Sequence, residues 1–277
     1  MATALILLAC TYVGLVVGCA FLIAYRSQYA LWWLVALVAI GTSLATRYRS
    51  GGRAILDALG ATVAPTKRDG SLSGTVERLA ALADVATPEV VVADTDALNA
   101  LAVGLRRRRS TLVVTRGLVE ALTDAELEAV LAHEISHLAN RDAAVMTAVS
   151  APRLLGEVVV GGAGEGRGLI WLVAWPLGII PLALGTALTL MVSRYREFAA
   201  DRGSALLTGA PEQLMSALEK LSGHAIEIPH ADLRAANAFC IVSTETKRFA
   251  LFSDHPPLEK RLAALAEIAR ELGKPVS

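Results

Sequence analysis

The sequence predicts a mainly α-helical membrane protein, with about four transmembrane helices joined to an α+β part that carries a small β-sheet. Three observations lead there. Hydrophobic residues make up 54% of the 277 and charged residues only 19%, with a mean hydropathy of +0.51, too apolar for an ordinary soluble globule. Uncharged runs long enough to cross a bilayer recur in two groups. Around them lie stretches with helical apolar spacing and short β-prone runs.

The same composition narrows the function classes. Lys and Arg total 26 and Asp and Glu total 26, a net charge of zero, so no overall basic field draws in nucleic acid. Cys10, Cys19 and Cys240 supply neither a disulfide framework nor a thiolate metal site.

The first apolar run, Ala2 to Tyr25, holds no charge over roughly 24 positions, and about 20 suffice to span the hydrocarbon core. A secretory signal is the alternative. Against it, no Lys or Arg precedes the run, and a second one follows after Arg26, Ser27 and Gln28. That second run, Tyr29 to Thr46, opens with Trp32 and Trp33 at interfacial depth, completing a helical hairpin. Arg47, Arg49, Arg53, Lys67 and Arg68 follow. By the positive-inside rule this side is cytoplasmic.

Gly168 to Ser193 is the next clear span, with Pro176 and Pro181 expected to kink it. Before it, Ala143 to Gly164 is interrupted by Pro152, Arg153 and Glu157. It reads as a fourth crossing with a polar face, or as a re-entrant or surface helix. The chain then divides into an N-terminal transmembrane hairpin (1–46), a first cytoplasmic part (47–142), a second transmembrane pair (143–193) and a C-terminal part (194–277).

The chemistry lies in the stretch from Thr123 to Asp142. Thr123 followed by Glu126 is a capping-box signature, and Leu127, Val130, Leu131, Ile135 and Leu138 recur at helical spacing. His133 and His137 are thus one turn apart on one face, with Glu134 beside them. This H-E-x-x-H arrangement lets two imidazoles share one zinc ion while the carboxylate works on a water. Such an ion takes a third protein ligand and keeps one position open. Directly after the last span, Glu197 and Asp201 stand four residues apart on one helix face. Glu197 is the candidate third ligand, and Asp201 the acceptor for the outer ring nitrogen of a ligating histidine. The expected chemistry is peptide hydrolysis by an activated water, with Glu134 as proton carrier and one zinc per chain. A solvated face pairing these acids with Arg194, Arg196 or Arg202 is the competing reading.

In Asn99-Ala-Leu-Ala-Val-Gly104, Val114-Thr-Arg-Gly-Leu118, His133 to Asp142, Arg196 to Asp201 and His255-Pro-Pro-Leu-Glu-Lys-Arg261, the sequence resembles the HtpX group of membrane zinc proteases, relatives of the CaaX prenyl proteases. The resemblance covers nearly the whole chain. It implies an α+β zincin-like catalytic domain, zinc on His133, His137 and Glu197, Glu134 as catalytic residue, and an active site facing the cytoplasm. Where such chains usually read Asn-Ala-Phe-Ala-Thr-Gly, this one has Leu101 and Val103, which bears on subsites rather than on the metal.

Asn99 to Leu105 and Thr111 to Thr115 read as an antiparallel hairpin around Arg106-Arg-Arg-Arg109-Ser. Its edge could receive an extended substrate as an added strand, with Asn99 a candidate for substrate contact. The arginines form a solvated, cytoplasm-facing turn, or a nucleic-acid or lipid-headgroup patch. In the resembling family the segment at His255 borders the active site, so His255 and Arg261 are candidates for substrate or oxyanion contact, or simply belong to a helix start. His224 and His230 read as surface residues. Asn140 and Asp142 are assigned anchoring of the metal helix and no chemistry.

The expected helices are Val76–Ala83, Thr123–Asn140, Arg194–Leu207, Pro211–Leu221 and Pro257–Leu272, with a further strand at Val90–Ala93. The function these features predict is a multi-pass cell-membrane endopeptidase acting on proteins or peptides, membrane proteins among them, within the lipid bilayer, in membrane-protein quality control. A narrow-specificity processing protease and a non-cleaving membrane scaffold are the alternatives.

Overall fold

A computed structural model describes residue 42 and residues 69–106, 109–165, 170–222 and 256–274. The hairpin expected over 1–46, apart from helical Thr42, lies outside the described residues, as do His224, His230 and His255. In order, the described elements are α1 (Asp69–Leu82), β1 (Glu89–Ala93), β2 (Ala100–Arg106), β3 (Arg109–Thr115), α2 (Arg116–Ala121), α3 (Asp124–Ala139), α4 (Asp142–Glu165), α5 (Ile170–Thr208), α6 (Pro211–Ser222) and α7 (Leu258–Glu271). The chain forms two compact units, one of Met1–Ser50 with Ala144–Val192, the other of Gly51–Ala143 with Ser193–Ser277.

The second unit is built on a three-stranded mixed sheet in the order β1-β3-β2. β2 and β3 form the expected antiparallel hairpin, with Ala102 opposite Leu112. The strands run further into the arginines than the sequence suggests, since Arg106 pairs with Arg109 and an irregularity follows Gly104. β1 joins β3 in parallel, Val91 opposite Val113. Among the described residues, β2 therefore has one edge unpaired in this sheet. The short helix α2 was not expected from the sequence. Thr115 caps it, accepting from the Leu118 N–H at 3.4 Å.

The core of this unit joins Val76 and Leu79 of α1, Leu112 and Val114 of β3, Leu127, Val130, Leu131 and Ile135 of α3, Leu214 and Leu218 of α6, and Leu265 of α7. Burying each such side chain contributes roughly 1.5–3 kcal/mol. α3 is enclosed almost all round, every residue from Ala129 to Ser136 being buried. Polar groups on such a helix need partners inside the protein. At its start the Thr123 capping box is complete, Thr123 and Glu126 each satisfying the other's backbone N–H.

Within the first unit, α4 and α5 pack closely through small residues. A methyl on Gly156 would run into the backbone at Leu182, and one on Gly185 into the backbone at Arg153. Such contacts suit helices associating in lipid, where close van der Waals approach replaces the hydrophobic drive. The expected kinks do not interrupt α5, which is helical through Pro176 and Pro181, as lipid-embedded helices tolerate. Arg153 and Glu157, which clouded the reading of this region, pair at 3.0 Å on α4. Among the described residues one stretch, Gly178–Thr208, is long and apolar enough to cross a membrane.

Candidate metal centre

Five elements contribute to the site: β2, α3, the first residue of α4, the end of α5, and α7. The approach of α3 to α5 is set by small side chains. Ala200 and Ser204 of α5 are fully buried, as are Ala129 and Ala132 of α3. Ser204 Oγ donates to the Ala129 carbonyl at 2.7 Å. Gly203 abuts Ser136, whose hydroxyl turns back to the Ala132 carbonyl at 2.8 Å. This docking brings Glu197, six residues before Gly203, to the histidine face of α3.

His133 and His137 meet edge to face, ring centroids 4.7 Å apart. Their Nε2 atoms are 3.1 Å from one another. Two neutral imidazole lone pairs at that distance repel unless a proton or cation lies between them. Nitrogens each about 2.0–2.1 Å from a shared tetrahedral ion stand roughly 3.3 Å apart, close to what is seen. Glu197 Oε2 is 3.7 Å from His133 Nε2, and Oε1 is 3.7 Å from His137 Nε2. Glu134 is there as well: His133, Glu134 and His137 offer ligand atoms within 4.8 Å of one another. However, Glu134 Oε2 already accepts the Ala102 N–H of β2 at 2.9 Å.

Each outer nitrogen has a carboxylate beside it. His133 Nδ1 is 3.0 Å from Asp201 Oδ1. His137 Nδ1 is 2.5 Å from Asp142 Oδ2. Carboxylates there favour the tautomer with its proton on Nδ1, which leaves Nε2 to face the shared centre. Arginines hold both acids. Arg261 donates from Nε to Asp201 Oδ2 at 2.8 Å and from Nη2 to Oδ1 at 2.6 Å, and its Nη1 is 3.5 Å from Glu197 Oε2. Arg196 Nε lies 3.0 Å from Asp142 Oδ2.

Charge decides what fits. Four buried carboxylates (Glu134, Asp142, Glu197, Asp201) stand with two buried guanidiniums (Arg196, Arg261). With neutral histidines and every acid ionised, two negative charges are left over, which a divalent cation would balance. The strain is visible at Glu134, whose carboxyl is pushed up to about 7. Burial is the main cause, opposed by His137 and reinforced by Glu197. The donor set and the charge thus fit a divalent metal.

The profile of peptidase family M48 matches residues 66–269. The chain belongs to this family. Over 270 residues it is 37% identical to Protease HtpX homolog 2 of Methanosarcina mazei, covering 91% of this chain and 90% of that one. It is 40% identical to the Protease HtpX homolog of Moorella thermoacetica over 272 residues, again 91% and 90% of the two chains. Protease HtpX homolog 1 of Streptomyces coelicolor is 36% identical over 290 residues, 99% of this chain and 93% of its own. Among solved structures, the Ste24p of S. mikatae shares the fold with a TM-score of 0.56 at 20% identity, over 93% of this chain and 63% of that one. This M48 chain is an HtpX-like membrane metalloprotease, as its motifs imply.

The sequence-derived site residues fall into three groups. His133, Glu134, His137, Glu197 and Asp201 are brought together. Arg261 joins them as well: only 2% exposed, its guanidinium is enclosed by Asp201 and Glu197. Asn99 is buried at the head of β2, its backbone N–H donating to Thr115 Oγ1 at 2.9 Å and its carbonyl accepting from that hydroxyl at 2.8 Å. These bonds serve the hairpin. Sequence reasoning missed Asp142 and Arg196. The available signal was their proximity to ligand candidates, Asp142 five residues past His137 and Arg196 next to Glu197.

Proposed function

We propose that the protein is a multi-pass membrane endopeptidase whose zinc ion is held by His133, His137 and Glu197, with Glu134 as the catalytic proton carrier. The observation that carries this reading is the facing pair of Nε2 atoms at 3.1 Å, with Glu197 oxygens 3.7 Å from each and Glu134 alongside. A zinc ion held by these three residues would supply a water of lowered pKa and a Lewis acid for the substrate carbonyl. Glu134 takes the proton of the attacking water and passes it to the leaving amine. The Ala102 N–H holds Glu134 Oε2 in place, leaving the other oxygen to carry that proton. Asp201, gripped by Arg261, keeps His133 in the ligating tautomer.

Substrates are proteins or peptides that enter in extended form along the open edge of β2, whose Ala102 already touches the catalytic carboxylate. Main-chain pairing of this kind needs little sequence, which suits quality control of membrane proteins. The arginines after the N-terminal hairpin support an active site on the cytoplasmic side.

Metal removal tests the reading. In detergent, cleavage of unfolded casein should vanish with a chelator and return with stoichiometric zinc. Activity that survives complete removal of the metal would contradict it.

A further inference from the structure

We infer that Asp142, held by Arg196, is a positioning residue for the metal centre, setting the tautomer and ring orientation of His137 as Asp201 does for His133. The inference rests on the metal-site reading above and extends it to a residue pair that the H-E-x-x-H and Glu197-x-x-x-Asp201 motifs leave out.

Local backbone geometry shows that this contact is built. Were α3 to continue, residue 142 would sit about 140° around the axis from residue 137, pointing away from it. Instead α3 ends at Asn140, and Arg141 takes a left-handed conformation, φ 56°. A non-glycine residue adopts this at a cost of about 1–3 kcal/mol, and only where surrounding structure enforces it. The turn throws Asp142 back onto His137 Nδ1. An acid opening a helix ordinarily serves that helix's own N-terminus. Here Oδ2 is engaged by His137 and by Arg196 at once, with Asp142 4% and Arg196 7% exposed.

The two histidines differ in how much they need such help. His133 is 1% exposed and clasped by packing, whereas His137 is 14% exposed at the side chain. Packing restrains His137 less, so its ring depends more on the carboxylate behind it. Arg196, its Nε 3.0 Å from Asp142 Oδ2, sets a positive charge against the carboxylate whose oxygen faces Nδ1. The centre therefore carries two Arg–Asp–His chains, Arg261–Asp201–His133 and Arg196–Asp142–His137.

The test uses the full-length protein in detergent and zinc affinity measured by chelator competition. Asp142→Ala should weaken zinc retention by about 10–100-fold, the usual effect of removing an outer partner of a ligating histidine. Asp142→Asn, which keeps an oxygen for Nδ1–H, should recover most of that loss. The visible absorption of the cobalt-substituted protein should shift in the alanine variant and return toward wild type in the asparagine variant. Wild-type zinc affinity and an unchanged cobalt spectrum in Asp142→Ala, with zinc lost in His137→Ala, would overturn the inference and leave the metal site intact. Normal zinc affinity in His137→Ala would overturn both. Should Asp142→Ala not fold, Arg196→Gln carries the same test, with weakened zinc retention expected and wild-type affinity contradicting it.

Discussion

Gly203 lies against the hydroxyl of Ser136 with no room for a methyl between them. This contact, with Ser204 on the Ala129 carbonyl, sets how closely the helix bearing Glu197 approaches the helix bearing both histidines. The reach of Glu197 toward His133 and His137 is thus set by the absence of a side chain at Gly203.

Gly203→Ala should therefore harm stability and metal binding together. Overpacking of this kind costs about 1–3 kcal/mol, and the melting temperature and zinc affinity should fall in step. Ser136→Gly in the same chain should restore most of both. Calorimetry and chelator competition on the single and double variants check it. A Gly203→Ala protein indistinguishable from wild type would mean that this contact does not set the helix spacing.

Removing Arg261 should destabilise the fold more than it alters substrate recognition. Arg261→Met leaves Asp201 buried without its cation, a change that costs about 3–5 kcal/mol. Denaturant unfolding should show that loss. An unchanged unfolding midpoint with a raised KM would instead place Arg261 on the substrate.

Glu126 should contribute to acid sensitivity, alongside Asp201, whose carboxyl Arg261 also holds down. Burial alone would raise the Glu126 carboxyl, but hydrogen bonds from Lys220, Ser216 and Thr123 hold it down at about 2. Because the folded value lies below the unfolded one, the stabilisation is fully present above about pH 4.5 and is lost as pH falls toward 2. Its size is about 1–3 kcal/mol, discounted because Lys220 is 45% exposed. Glu126→Gln should melt lower than wild type at pH 7, with the gap closing by pH 2. A gap that stays constant across this range would contradict the assignment.

Local rules made much of this legible in the sequence. The capping box at Thr123, the one-turn spacing of His133 and His137 and the hairpin around the arginines all depend on neighbours within a few residues. Glu197 was reachable because a metal with two histidines demands a third ligand. What stayed hidden depends on distant or unusual geometry. The role of Asp142 follows from the left-handed Arg141, which no side-chain pattern announces. Arg261 finds Asp201 sixty residues away. β1 pairs in parallel with β3, an association that strand propensity alone does not specify. The small residues Ala200, Gly203 and Ser204 read as an ordinary helix until the partner helix is seen.

The account turns on separating metal binding from proton transfer, and one comparison does so: zinc content and casein cleavage measured side by side for wild type, Glu134→Gln and Glu197→Ala. The expected result is one zinc per chain in wild type and Glu134→Gln, cleavage reduced at least about 100-fold in Glu134→Gln, and zinc lost with activity in Glu197→Ala. Normal cleavage by Glu134→Gln, or full zinc retention in Glu197→Ala, would contradict it.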